Sequence, residues 1–412
     1  MEDLEALGLL VPDYEGNTIA NIPATIAALF RAPGPGLAPL RPALWDPLLN
    51  GEEVRRVVLI LIDGMGQNLL QLGGQEVSWL EEEALVAGQI TSVFPSTTVN
   101  ALSCLWTGAG PAQHGLVGLE MFFPKLGVIG QMLALTPSFI WSPDALVKAG
   151  VDPYTFLPVA GFAQTLAEVG VETVSLKDYR LVNSTLSKMH SRGVKTSRGI
   201  VTAADLMWQL RSLLEQRSAG RQFIAAYWPA VDTLSHRYGF DHPAVVAELA
   251  AFLHLLRATL FEQLSAEARR GTIVIVTADH GQINTPLEKR IFVEDHPELL
   301  KLLLMRAAGE PHSAYLYARQ GQTQRILEYV REHLSYAATA LDAQEALHAG
   351  LFGPPPFAGE VDSRIGDVIV TMRDGYSLLS REVDEFLAAL VGRHGGLTPA
   401  EMEVPFCAFC LS

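Results

Sequence analysis

Three apolar runs in this sequence each lead to an acidic residue, and two of those acids have a histidine close by. Arg56 to Ile62 stops at Asp63-Gly64, Gln222 to Trp228 leads to Asp232 and His236, and Thr272 to Thr277 gives way to Ala278-Asp279-His280-Gly281. Carboxylates and imidazoles in such a set are ligands for divalent metal ions. Asp232 and His236 lie four apart, so on a helix they share one face and can grip one ion, although a surface ion pair has the same spacing. Asp279 and His280 follow a buried-looking strand, where bare charge is costly and a metal would satisfy it. Asp63 by itself is a candidate ligand, but a lone aspartate at a strand end is more often a cap or turn residue. His394, in Gly392-Arg393-His394-Gly395-Gly396, has glycines that let the backbone come close to another group, a pattern shared with exposed turn histidines. Thr97 and Thr98 follow Phe94-Pro95-Ser96 and precede a helical pattern whose positive end favours an alkoxide or phosphate. A threonine hydroxyl attacks only when a metal or base lowers its pKa, and either residue would also serve as a plain N-cap.

Those positions require elements to hold them. Fully apolar runs suggest strands buried on both faces, as in a parallel sheet covered by helices, and such sheets collect ligands at the carboxyl ends of their strands. Strands are expected at 56–62, near 89–93, at 171–176, 222–228 and 272–277. Helices are expected at 22–30, 66–72, 99–106, 201–218 and 243–267, with 76–87 as helix or loop. Residues 120–165 are poorly patterned and are a candidate pocket lining, with Phe122, Phe123, Met132, Phe139, Trp141 and Tyr154 available either as an apolar wall for a leaving group or as ordinary core. From about 290 to 390 the pattern changes to α+β: strands at 313–317 and 367–372, helices at 322–334 and 343–349. A short segment at 401–406 closes the sequence. The expectation is an α/β fold with a mostly parallel central sheet sandwiched by helices. Residues 1–289 and 391–412 form the core, and 290–390 form a smaller α+β lobe.

Composition narrows the partners. The chain has 412 residues, 49% hydrophobic and 18% charged, and a net charge of −15, which argues against a nucleic-acid polymer as partner. Three cysteines make no disulfide framework, so a reducing, cytoplasmic setting is expected. Cys407-x-x-Cys410 lacks a second pair and reads as small apolar residues. The first residues carry acids rather than a basic signal-peptide region, and no uninterrupted apolar stretch reaches the roughly 18 residues of a membrane helix. No membrane association is expected, and oligomeric state is left open.

Taken in order, Asp63, Thr98, Asp232, His236, Asp279, His280 and His394 resemble the two-metal site of the alkaline phosphatase superfamily, in its type I phosphodiesterase/nucleotide pyrophosphatase branch. The resemblance covers about 56–120, 222–285 and 390–405. It implies that Asp63, Asp279 and His280 hold one ion, to which Thr98 also binds, and that Asp232, His236 and His394 hold the other. Phe94-Pro95-Ser96-Thr97-Thr98 corresponds to the family's Phe-Pro-Thr-x-Thr. Thr107-Gly108 and His114-Gly115 then match without a gap, which selects Thr98 over Thr97 as nucleophile. His312, in Gly309-Glu310-Pro311-His312-Ser313, competes with His394 as a ligand. His394 is preferred because Leu397 to Met402 resemble the family's C-terminal ligand segment. One position departs: the asparagine that contacts a phosphate oxygen in well-studied relatives is Leu119 here. A donor of that kind is worth about 2.7–4 kcal/mol in the transition state.

What the resemblance implies is a two-metal phosphoric-ester hydrolase working through a covalent phosphothreonine on Thr98. Zinc is the expected metal, with manganese or iron as alternatives, and the substrate is a small phosphate or phosphonate ester. Phosphomonoesterase and phosphonate hydrolase activity on the same site are the alternatives. Metal-dependent phosphoglycerate mutases use serine, and sulfatases need a Cys/Ser-x-Pro-x-Arg sequence missing at the nucleophile. A non-catalytic binding protein that retains the fold is the reading from a different class.

Overall fold

The structure is a computed structural model that describes residues 2–49, 51, 53–216, 220–381 and 388–411. At its centre is a seven-stranded sheet in the order Val86–Thr91, Glu403–Leu411, Thr272–Thr277, Arg56–Ile62, Arg221–Trp228, Val171–Asp178, Thr196–Ile200. Arg56–Ile62 pairs in parallel with both Thr272–Thr277 and Arg221–Trp228. Every residue of Arg56–Ile62 and of Thr272–Thr277 is buried, as continuous apolar strands covered on both faces should be. Alternation along Arg221–Trp228 shows the two layers directly. Phe223 meets Phe162 edge-on at 5.5 Å, while Trp228, on the opposite face, stacks on Phe252 at 5.5 Å. Phe162 lies on the helix Phe162–Glu168, and Phe252 on Pro243–Leu256.

The helix expected over 243–267 is interrupted. Pro243–Leu256 widens into a π-helical turn at Arg257–Phe261 and stops. Ser265 then caps a new helix, Ala266–Arg269, its hydroxyl accepting the Ala268 N–H at 3.2 Å. By length and hydropathy Pro243–Phe261 would suffice to cross a membrane, but here Val245, Leu249, Phe252, Leu253 and Leu256 are buried in the core. The short closing segment proves to be the nine-residue strand Glu403–Leu411, antiparallel to both its neighbours. Cys407 and Cys410 sit on this strand, and neither joins a disulfide among the described residues.

A second seven-stranded sheet, antiparallel, runs Ala338–Asp342, Val368–Met372, Ser313–Leu316, Ala308–Glu310, Glu120–Phe123, Val128–Gln131, Thr136–Pro137. Residues 290–390 supply its first four strands. The other three come from 120–137, within the stretch that carried no clear pattern, and join through the single pairing of Gly309 with Glu120. These strands are too short to show a period. Met132 and Phe123 are core, while Phe139, Trp141 and Tyr154 are exposed. None of the six aromatic and methionine candidates lines either cleft at the site described below; the apolar residues there include Leu119 and Leu133.

Candidate metal centre

Parallel strands present the first set of ligands. Asp63 follows Arg56–Ile62, and Asp279 and His280 follow the neighbouring Thr272–Thr277; all three are buried. Their ligand atoms lie within 4.8 Å of one another. Gly64, at φ +73°, turns the chain directly after Asp63, and its N–H donates to Asp279 Oδ1 at 3.2 Å. The His280 N–H donates to the same oxygen at 3.1 Å. Tyr227, from the adjacent Arg221–Trp228, donates its hydroxyl to Asp63 Oδ2. Asp63 Oδ1 and Asp279 Oδ2 are buried without a hydrogen-bond partner. Burial, then the neighbouring carboxylates of Asp279 and Asp232, push Asp63 well above the usual carboxylate range.

The second set gathers around the helix Ala230–Tyr238. Asp232 and His236 lie one turn apart on it, with Oδ1 to Nε2 at 3.3 Å. His394 arrives from the glycine-rich loop, its Nε2 3.8 Å from Asp232 Oδ1. These three also form a group whose ligand atoms fall within 4.8 Å. The His394 ring stacks on His280 at 3.7 Å and approaches His236 at 5.1 Å, which brings the two sets side by side. Burial and the neighbouring His280 and His236 keep His394 well below the ordinary histidine pKa, so its ring is neutral.

All three imidazoles are oriented alike. Nδ1 of His236 donates to the Gly392 carbonyl at 2.8 Å, that of His280 to Gly281 at 3.0 Å, and that of His394 to Ser96 at 3.0 Å. A carbonyl only accepts, so in each ring Nδ1 is the nitrogen that carries the donated proton, and Nε2 is the one left to face a metal. Rings held this way are set for a metal. Together with the two orphaned carboxylate oxygens and the crowding of acids, the donor set fits a pair of divalent cations: three carboxylates and three imidazoles in two groups.

Thr98 begins the helix Thr98–Thr107, and its Oγ1 lies 3.1 Å from His280 Nε2. Thr97 is the N-cap residue in backbone geometry, but its side chain does not cap. Ser96 anchors the turn by donating its hydroxyl to Gly396 at 2.8 Å and accepting the Gly395 N–H at 3.2 Å. His312 stands apart from both ligand groups. It bonds Glu401 at 2.7 Å and Thr285 at 3.0 Å, and Glu401 in turn accepts the Gly396 N–H at 2.8 Å, bracing the His394 loop.

Leu119 faces a cleft of about 690 Å³ that also reaches Thr98, Asp232, His236 and His394. The Leu119 N–H donates to Glu310 Oε1 at 2.8 Å, and burial pushes that carboxyl up to about 8. Sequence reasoning passed over Glu310, as well as Tyr227 and Gln282, whose Nε2 donates to Asp232 Oδ1. Tyr227 at least stood in a quoted strand; Glu310 and Gln282 carried no local signal.

No curated protein matches the sequence. Among solved structures, the chain superposes on murine ectonucleotide pyrophosphatase/phosphodiesterase 5, an inactive threonine-to-alanine variant in complex with AMP. The TM-score is 0.62 at 17% identity, covering 86% of this chain and 88% of that one. The human form gives 0.61 at 19% identity, covering 86% and 87%. Phosphonoacetate hydrolase from Sinorhizobium meliloti 1021, in complex with phosphonoacetate, gives 0.64 at 18% identity, covering 87% and 91%. At such identities these likenesses establish the alkaline-phosphatase-like fold. The sequence profile of the type I phosphodiesterase/nucleotide pyrophosphatase family matches residues 57–397, and the chain belongs to that family of hydrolases.

Proposed function

We propose that this hydrolase cleaves a small phosphoric ester with Thr98 as nucleophile and two divalent cations as cofactors. The observation that carries the reading is the convergence of two three-residue ligand groups on a threonine hydroxyl 3.1 Å from a ligand imidazole. Asp63, Asp279 and His280 would hold one ion and Asp232, His236 and His394 the other; the nitrogen and oxygen donors suit zinc, manganese or iron. Bound there, the cations would supply Lewis-acid charge that lowers the pKa of the Thr98 hydroxyl and offsets charge on the attacking and leaving oxygens.

The remaining work falls to the chain itself. The start of the ten-residue helix Thr98–Thr107 fixes Thr98 Oγ1 and turns its positive end toward an incoming phosphoryl group. Oγ1 attacks phosphorus, the bond to the leaving oxygen breaks, and the phosphoryl group rests on Thr98. Water then attacks phosphorus, releasing the phosphate product and restoring the hydroxyl. That the murine relative was made inactive by a threonine-to-alanine change supports placing the nucleophile on a threonine.

A second reading keeps the site and changes the substrate to a phosphate monoester or a phosphonate. Leu119 favours it, because its apolar side chain offers no hydrogen bond to a phosphoryl oxygen. The phosphonate ligand of the bacterial neighbour points the same way. Thr98→Ala is expected to abolish turnover of p-nitrophenyl phosphate, bis-p-nitrophenyl phosphate and phenylphosphonate esters while metal content stays near wild type. Full activity in that variant would refute the nucleophile, and the profile across the three substrates separates the two readings.

A further inference from the structure

A second cavity, of about 290 Å³, opens from the same centre, and the mechanism above does not use it. Asp63, Thr98 and Asp232 line it, together with an apolar wall that includes Leu102, Leu105 and Phe223. Lys177, Ser175, Ser184, Ser187 and His190 complete the lining. Apart from Asp63 and Asp232, no acid contributes to it.

Lys177 is the unusual member. It is 9% exposed, on the strand Val171–Asp178, and its Nζ donates to the Ser187 hydroxyl at 3.1 Å, its one hydrogen bond among the described residues. Its other neighbour is the face of Trp106, with the ring centroid 5.6 Å away. Among the described residues no carboxylate forms an ion pair with it. Buried ammonium groups are normally paired, because taking an unpaired charge out of water is expensive. His190 adds no negative charge: burial and Lys177 keep its ring neutral, and its Nε2 meets the Ser103 hydroxyl at 2.9 Å. This part of the cavity therefore presents a cation and hydroxyls with nothing acidic to balance them.

The register gives its distance from the metal centre. Leu176 pairs with Ala226, and Ala226 with Ile60, so Lys177 lies two strands from the strand that delivers Asp63. At the usual strand spacing that is about 10 Å. With its backbone two strands away and its ammonium beside Ser187 and Trp106, Lys177 is placed to meet a group of the bound molecule other than the phosphoryl at Thr98.

We propose that this cavity is a subsite for a second anionic group, a carboxylate or phosphate on the leaving portion of the substrate, with Lys177 as its cationic partner. The substrate class is then a compact bifunctional molecule: a phosphoryl group at Thr98, a short apolar spacer along the leucines and Phe223, and an anion at Lys177. The inference rests on the reading that places the phosphoryl group at Thr98.

That test compares phenyl with 4-carboxyphenyl esters, each as phosphate monoester and as methyl phosphate diester, using metal-loaded wild type, Lys177→Met and Lys177→Arg. Wild type is expected to favour the carboxylated ester at least tenfold in kcat/KM, chiefly through KM. Lys177→Met should bring that ratio to about one, and Lys177→Arg should keep part of it. A wild type without the preference, or a Lys177→Met variant that retains it, overturns the proposal. Should Lys177→Met fail to fold, Lys177→Gln and the wild-type ratio decide. If wild type hydrolyses none of the esters, the hydrolase reading fails, and thermal shifts with phenylphosphonate and 4-carboxyphenylphosphonate take over. A larger shift with the carboxylated compound that vanishes in Lys177→Met upholds the subsite, and equal shifts in wild type refute it.

Discussion

Tyr227→Phe isolates the contribution of one hydroxyl to the metal centre. Tyr227 donates to Asp63 Oδ2, while Oδ1 of that carboxylate has no protein partner. Removing the hydroxyl leaves the ring in place and deprives a buried carboxylate of its one side-chain donor. A hydrogen bond to a charged group contributes about 1.5–3 kcal/mol. At about 1.4 kcal/mol per factor of ten, that is a loss of roughly 10- to 100-fold in affinity for one cation, the range typical of groups that orient metal ligands. The effect should be confined to the ion proposed at Asp63, Asp279 and His280. The group of Asp232, His236 and His394 makes no hydrogen bond to Tyr227 and acts as an internal control. Chelator competition read by elemental analysis should show one equivalent released early and the second retained as in wild type. Release of both ions together, or affinities within twofold of wild type, would refute the reasoning and leave Tyr227 as a core aromatic.

Two further changes probe the scaffold. A Cβ on Gly281 would lie 2.1 Å from the Ala400 carbonyl oxygen and 3.0 Å from Gly66 Cα, both backbone atoms. Gly281→Ala should therefore cost about 1–3 kcal/mol or more and displace His280, seen as a lower melting temperature and less than full metal content; wild-type values for both would contradict the packing described. Burial lowers Lys177 to about 8 from an ordinary 10.5, so between those values the unfolded chain binds more protons than the native one and stability rises with pH. Across that window wild type should gain about 3 kcal/mol relative to Lys177→Met in urea unfolding; parallel curves would show that the amine is not buried as charge.

The central sheet was legible because its strands are apolar on both faces, and a run such as Val57 to Ile62 has no other plausible reading. That Asp63, Asp279 and His280 come together was legible because neighbouring parallel strands deliver their ends to one edge. Elements that depend on partners were not. Glu120–Phe123 and Val128–Gln131 are strands only because Ala308–Glu310 and each other complete them, and four residues carry too short a period to announce it. Bonds across long separations were equally hidden: Glu310 to Leu119 spans 191 residues and Tyr227 to Asp63 spans 164. Lys177 could not be singled out for a related reason, since a lysine in a strand looks ordinary until its burial and the lack of an ion-pairing carboxylate among the described residues are known.

The strand Glu403–Leu411 separates Thr272–Thr277 from Val86–Thr91, and so stands between the segment that ends in Asp279 and His280 and the one that leads to Thr98. Its neighbours in the sheet are more than a hundred and more than three hundred positions earlier in the sequence. Pairing at such separations is the slow part of folding, because the loop must close before any contact rewards it. The strand that ends in Asp279 and His280 and the segment that leads to Thr98 are therefore joined through one strand drawn from far along the sequence, and the candidate site depends on long-range pairing rather than on any local element.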